Sequence, residues 1–377
     1  MFDYGTLREI WWLLLGVLLI GFALTDGYDL GLGAIYRFIT RDDTERRMAL
    51  EAIEPHWEGH QVWFILGGGA VFAAWPMLYA ASFSGFYFAM LLVLLALILR
   101  PVGFNFRNKV ASPAWRNAWD WALTISGAVP ALVFGVAFGN LFLGVPFHLT
   151  NTLLPVYDGH FFGLFHPFAL VAGVVSLAML VMHGASFAAM KVEGAVGDRA
   201  HRVAKAAAIL TLLAFLSAGA WLSVLPGHAI VGTVAADGPS NPLSKQVAVT
   251  AGAWLANQQA HPLLWLVPAL AAAAMLGVLL LRGRVAGFVA SCLAVASVIL
   301  TAGIAMFPFL LPSSTNPAHG LTVWDASSSA RTLGIMLFAA AVFLPLILAY
   351  STWAFRIMRG QVTRAHVEEQ ARHGGGY

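Results

Sequence analysis

Nine separate stretches of mostly apolar residues, each near the ~20 that cross a bilayer, limit what this chain can fold into. They run over residues 10–30, 62–78, 83–99, 118–142, 162–190, 204–225, 263–281, 285–309 and 332–355. Soluble domains carry about 25% charged residues, whereas here 10% are charged and 59% hydrophobic. The pattern predicts an all-α polytopic membrane protein with nine transmembrane helices, arranged as two four-helix bundles plus one extra helix. Residues 1–143 form the first bundle, 144–161 an outer loop, and 162–309 the second bundle with an outer loop at 226–261. Residues 310–356 hold the ninth helix, and 357–377 form a tail ending Gly374-Gly375-Gly376-Tyr377. A faint internal likeness motivates the two bundles: Asp26-Gly27 parallels His183-Gly184, and Gly135-Val136-Ala137-Phe138 parallels Gly303-Ile304-Ala305-Met306. Four helices separate each pair, so the copies would cross in the same direction. The first apolar run has no small-residue cleavage signature and is expected to stay as a helix.

Orientation follows from the basic residues. Of the 21 Lys and Arg residues, 17 fall in alternate short loops or the tail, around Arg37–Arg47, Arg107–Arg116, Lys191–Lys205, Arg282–Arg284 and after Arg356. Arg8, Lys245 and Arg331 lie on the other side, and Arg100 sits at a helix end. Basic loops face the cytoplasm, which predicts an outer N-terminus, a cytoplasmic C-terminus and an odd number of crossings. The net charge of +3 belongs to these loops and points to no nucleic acid. The single cysteine, Cys292, lies in an apolar run and excludes an internal disulfide.

Chemistry concentrates in Glu54-Pro55-His56-Trp57-Glu58-Gly59-His60-Gln61-Val62-Trp63, at the mouth of the second run. Pro55 suits a first helical turn, and ionisable groups at a membrane helix mark a path or a bundle-facing site. The order His-x-Glu-x-His differs from the zinc-protease signature His-Glu-x-x-His. Counted from Ile10 at ~1.5 Å per residue, Asp26 falls ~24 Å into the first span, near its inner boundary. Asp29 shares its face, Glu58 begins span two there, Arg100 closes span three beside Pro101 and Asn105, and Asp120 opens span four. Such a layer could relay protons, bind a cation, or balance Arg100 in a structural ion pair. Asn140 and His183 read as interhelical hydrogen-bonders. Trp11, Trp12, Trp115, Trp119 and Trp121 fit interfacial belts, and Trp63 and Trp75 read as packing. No Cys-x-x-Cys-His, phosphate-binding glycine loop or nucleophile elbow is present.

Several of these segments resemble subunit II of the cytochrome bd quinol oxidases. The likeness is carried by Ile10-Trp11-Trp12, Thr25-Asp26-Gly27-Tyr28-Asp29-Leu30-Gly31 and Pro55-His56-Trp57-Glu58-Gly59-His60-Gln61-Val62-Trp63. It continues through Phe72-Ala73-Ala74-Trp75-Pro76, Ser84-Gly85-Phe86-Tyr87, Arg100-Pro101-Val102-Gly103-Phe104 and Arg116-Asn117-Ala118-Trp119-Asp120-Trp121. Gly135-Val136-Ala137-Phe138-Gly139-Asn140 and Thr301-Ala302-Gly303-Ile304-Ala305-Met306-Phe307-Pro308 complete it.

The resemblance implies a respiratory complex in the bacterial cytoplasmic (inner) membrane that oxidises quinol and reduces dioxygen to water. It implies a nine-helix partner, subunit I, holding two haems b and one haem d, with small single-helix accessory subunits as further partners. This chain is then the non-haem half, needed for assembly, with no haem or metal of its own and room for a structural quinone. The proton path it implies comprises Glu58, Asp29, Asp26, Asn105 and Asp120. Arg100, His56 and Trp57 act structurally or electrostatically, and Trp63 lines an oxygen or quinone route. Glu58 departs from the Asp frequent in the family but keeps the acid. Asn105 stands where a carboxylate can occur and cannot exchange a proton in the same way. A proton- or cation-coupled transporter is the competing expectation from the acid layer and the parallel repeat.

Overall fold

The computed structural model describes residues 2–372, so the terminal run 374–377 lies outside the described residues. Helix α1 spans Tyr4–Leu24, and the Asp3 side chain caps it by accepting from the Thr6 N–H at 2.8 Å. It breaks at Thr25 and resumes as α2, Asp26–Ile39. Together they make a 36-residue span, about 54 Å long at ~1.5 Å per residue. The first crossing therefore runs well past the expected end at residue 30. Its polar stretch is buried in protein, where neighbouring helices replace lipid.

A short helix α3, Asp43–Glu51, is capped by Asp42, which accepts from the Glu45 N–H at 2.8 Å. Helix α4, Trp57–Ala74, and helix α5, Pro76–Gly85, meet at a 119° bend. The straight span expected over 62–78 is corrected here. Proline disfavours α geometry in the residue before it, so Trp75 leaves the helix and Pro76 opens a new one. At the end of α4, Ala74 O accepts from the Ser328 N–H at 2.7 Å, and α5 packs on the strands at 155–157 and 309–311.

Helices α6, Tyr87–Phe106, and α7, Pro113–Leu143, follow, then a hairpin of β1, Phe147–Leu149, and β2, Pro155–Tyr157. After α8, Pro167–Lys191, and α9, Gly194–Leu222, comes the β3–β4 hairpin, Pro226–Val231 with Gln246–Ala251. The short α10, Ala256–Ala260, precedes α11, Leu266–Leu280, and α12, Arg284–Met306. Strands β5, Phe309–Leu311, and β6, Leu321–Thr322, pair before α13, Ala330–Ile357, and α14, Arg364–Arg372. Counting α1 and α2 as one, eight described helices are long and apolar enough to cross a membrane, and nine if the bent pair is one span.

The loop at 226–261 contributes to a core. Trp254, 1% exposed, packs with Phe142, Phe168, Leu225 and Phe309. At the centre, α2 lies between α7 and α8 on small residues. A Cβ added at Gly31 would meet Leu180 O at 1.8 Å, and one at Gly184 would meet Leu32 N at 2.2 Å. Glycine permits that backbone approach, the usual means by which membrane helices associate closely.

A buried acid–base cluster at the helix break

The break at Thr25 places Asp26 and Asp29 in the first turn of α2, where the helix N-terminus favours negative charge. Both are buried, at 1% and 2% exposure, and each meets a different helix. Arg100 of α6, 3% exposed, donates from Nη1 to Asp26 Oδ1. His60 of α4 sets Nδ1 2.7 Å from Asp29 Oδ2, and its Nε2 lies 3.3 Å from the Tyr28 hydroxyl. A Tyr–His–Asp chain thus joins α2 to α4. Asp29 Oδ1 and Arg100 Nη2 have no partner among the described residues, and both residues border a cavity of about 10 Å³. That is the lower limit for one water molecule.

His56 stacks on His60, with centroids 6.0 Å apart at 15°, and Phe355 of α13 lies 5.4 and 5.6 Å from the two rings. Burial, with His60 and Lys191 adding to it, lowers His56 to about 4. Burial raises Glu54 in the turn before α4, and Glu51 adds to that. Trp57 packs on Phe104 at 5.7 Å.

The expected single layer of acids divides into three places. Asp26, Asp29 and Arg100 form the buried cluster. Asp120 belongs to another site: Arg107 Nε donates to its Oδ1 at 2.6 Å, Arg46 Nη1 to its Oδ2 at 2.7 Å, and the Tyr36 hydroxyl to Oδ1 at 2.9 Å. Tyr36 lies ten residues beyond Asp26 on α2, about 15 Å along the axis. This corrects the expectation of similar depth. Arg107 and Arg116 also donate to Asp43, at 2.8 and 3.1 Å. Burial of Asp43 works against ionisation, but Arg107, Arg116 and Arg47 hold its carboxyl below the ordinary range. Glu58 occupies the third place. It is exposed and makes no hydrogen bond or ion pair among the described residues. Asn105 is exposed too and donates to Pro101 O at 2.9 Å.

A second feature is a cavity of about 830 Å³ among α1, α7, α8, α9, α11 and α12. Phe22, Phe64, Phe134 and Phe138 line it. Trp63 is not in its wall. That indole is buried and packs on Gly21, whose added Cβ would meet Trp63 Cε3 at 2.5 Å, and the α4 aromatic in the cavity wall is Phe64. His183 is engaged at both ring nitrogens, by Ser291 Oγ at 2.9 Å and Leu24 O at 3.0 Å. The described residues contain no group of three or more metal-donor side chains. Sequence reasoning left Tyr28, His60, Arg107, Arg46 and Tyr36 out of the site. Tyr28 could have been found from its place between two acids. Arg107 counted only as one more inner-loop cation.

These features define a polytopic helical membrane subunit whose acid–base centre is buried and whose exposed carboxylate has no partner of its own. The sequence model of the family described as cytochrome bd terminal oxidase subunit II matches residues 7–358. The chain is 50% identical to the cytochrome bd-I ubiquinol oxidase subunit 2 of Escherichia coli K12, covering 98% of each. To the cytochrome bd ubiquinol oxidase subunit 2 of Bacillus subtilis it is 29% identical over 95% of this chain and 98% of that one. The bd oxidase structure from Geobacillus thermodenitrificans superposes with a TM-score of 0.64 at 18% identity, covering 94% of this chain and 99% of that one, a likeness of fold. The chain belongs to the cytochrome bd terminal oxidase subunit II family. It is one subunit of a bacterial inner-membrane oxidoreductase complex, and the transporter reading gives way to that membership.

Proposed function

We propose that this chain is the haem-free subunit of a quinol:oxygen oxidoreductase, pairing with a haem-bearing subunit I and carrying protons from the cytoplasm toward it. Overall, two quinols and one dioxygen give two quinones and two waters. The four protons consumed at oxygen come from the cytoplasm, so a proton-conducting element is required on that side. The observation that carries this reading is the Tyr28–His60–Asp29 chain in the same helix turn as the Asp26–Arg100 pair, with the exposed Glu58 two residues before His60 in sequence.

Glu58 stands in line with Val62, Ile65 and Phe72, which are 37%, 70% and 60% exposed on one face of α4. A carboxylate against lipid costs up to about 3 kcal/mol at mid-bilayer, so this stripe suits a protein partner, subunit I. Glu58 and Asn105 then open into the seam between subunits. Glu58 collects the proton, His60 and Asp29 pass it, and Arg100 fixes Asp26. Asp120 stands outside the route because two arginines and Tyr36 occupy its oxygens.

The two haems b and the haem d are assigned to subunit I, as the family resemblance implies, and His183 and His60 of this chain already engage both ring nitrogens. The 830 Å³ cavity, within the ~300–1,000 Å³ usual for ligand sites, suits a structural quinone. We further propose an outer N-terminus, a cytoplasmic C-terminus, two parallel four-helix bundles, and small single-helix accessory subunits. Purification from native membranes tests the core of this reading. A co-purifying partner with b- and d-type haem absorption is expected, and a colourless, active homo-oligomer would overturn it.

A further inference from the structure

Around the Asp120 site the arginines are tied to carboxylates. Arg47, Arg107 and Arg116 meet Asp43, and Arg46 and Arg107 meet Asp120. Arg37, in the last turn of α2 and next to Tyr36, differs from them. It is half-buried and makes no hydrogen bond or ion pair among the described residues. Its guanidinium carbon sits 4.4 Å from the centroid of the Trp121 ring. Stacking and the helix C-terminus account for where the cation rests, but neither uses its five N–H donors. Nη1 is covered and without a partner, whereas Nε and Nη2 keep access to the surface.

The surroundings of that cation are apolar and open. Trp121 is 44% exposed, and Phe38, edge-on to it at 6.2 Å, is 67% exposed. Ile125, one turn further along α7 on the same face, is exposed as well. Trp121 lies 22 residues from Leu143 at the other end of α7, about 33 Å at ~1.5 Å per residue. That is close to the ~30 Å of the hydrocarbon core. The indole therefore falls at the membrane boundary, where tryptophans collect, and Ile125 continues its face toward the hydrocarbon. With Arg37 included, five arginines gather about the two carboxylates Asp43 and Asp120. The corner keeps an excess of positive charge.

We infer that this corner of α2 and α7 binds the head of an anionic phospholipid, with the phosphate diester on Arg37 and an acyl chain along Trp121 and Ile125. A guanidinium suits phosphate because its planar fork presents paired donors, and basic pockets beside membrane helices hold such heads. A soluble phosphate would use the arginine but not the apolar face below it, so the source is the bilayer. A zwitterionic lipid carries its own cation and gains less from the site. Arg37 bonds to no member of the Tyr28–His60–Asp29 chain, so the site is separate from the proposed proton route.

The test uses the assembled oxidase in phosphatidylcholine nanodiscs containing a trace of photoactivatable lipid. The probe is phosphatidylglycerol or phosphatidylcholine with the same diazirine-bearing acyl chain, and adducts are mapped by peptide mass spectrometry. In wild type the phosphatidylglycerol probe should label residues 121–125 well above the phosphatidylcholine probe. Loss of a hydrogen bond to a charged group predicts about tenfold less labelling in Arg37→Gln. Trp121→Leu should lower the yield at Ile125, and Arg41→Gln, which removes the same charge from an exposed neighbour, should match wild type. Equal labelling by the two probes in wild type would overturn the anionic site without recourse to any variant. Unchanged labelling in Arg37→Gln would overturn the anchor. Suppression by inorganic phosphate, but not by chloride of equal ionic strength, would give the arginine to a soluble anion and overturn the lipid assignment. Absence of label in wild type would mean that another chain covers this corner, and would overturn it too.

Discussion

Removing Arg100 alone should damage this protein more than removing Arg100 together with Asp26. The two groups are 3% and 1% exposed and hydrogen-bonded to each other, so neither charge has water to fall back on. Arg100→Met keeps most of the side-chain volume but leaves a buried carboxylate without its cation. Breaking a buried pair from one side costs about 3–5 kcal/mol, or about two to four decades in an equilibrium constant. Arg100→Met with Asp26→Asn removes both charges and leaves two near-isosteric neutral groups. That exchange is often neutral when packing is retained. The assay is a double-variant cycle on the oxidase complex, reading haem per milligram of membrane protein and the temperature at which the detergent-solubilised complex loses its haem spectrum. Arg100→Met should fall well below wild type in both, and the double variant should recover most of the loss. If the single variant equals wild type, or the double variant is no better than the single, the pair does not carry the charge balance argued here.

Glu58→Gln should slow quinol-driven oxygen consumption per haem d severalfold with assembly and haem content retained, and Glu58→Asp should stay active. Wild-type turnover in the glutamine variant would remove Glu58 from the proton route. His56 gives a pH prediction. Burial holds it near 4 in the fold, against about 6.5 unfolded, so the unfolded chain binds more protons between those values. Its contribution to stability is full above about pH 6.5 and declines as pH falls toward 4, by at most about 3 kcal/mol. His56→Phe should flatten the pH dependence of thermal stability over that window, and an unchanged profile would contradict the assignment. Reporter fusions in the Arg37–Arg47 loop should report a cytoplasmic location, and an outer location would reverse the proposed topology.

Much of the helix layout was legible because apolar length depends on composition, and lipid imposes it directly. Direction inside a run was not. The window over 62–78 is apolar throughout, yet the chain turns by 119° at Trp75 and Pro76, a local backbone effect that hydropathy does not measure. The acids were visible as residues but not as pairs. Asp26, Asp29 and Asp120 have the same chemistry in sequence, and only packing assigns one to Arg100, one to His60 and one to Arg107 with Arg46. The exposure of Glu58 depends on which face of α4 this chain covers, and hydropathy does not record that. The apolar cavity left no mark in the sequence, since phenylalanines facing a void and phenylalanines in a core look alike.

The break in the first span connects fold and chemistry. An unbroken helix would bond the Tyr28 N–H to Leu24 O and run Asp26 and Asp29 through mid-helix without the charge of a helix terminus. Here the Tyr28 N–H turns to Thr25 O at 3.3 Å, and Leu24 O is approached by His183 Nε2 at 3.0 Å. His183 is fully buried, stacks on Phe288 at 5.2 Å, and has Ser291 Oγ beside its other nitrogen. It supplies from α8 the donor that the backbone withdrew, so the break is held from outside the helix that contains it. Burying an unpaired carbonyl costs about 1–3 kcal/mol, enough to favour re-forming a straight helix if His183 were absent. The break sets Asp26 and Asp29 in the first turn of the second helix, with Asp26 on Arg100 and Asp29 on His60. His183 thus supports the helix break that precedes the acid cluster, without bonding to either carboxylate.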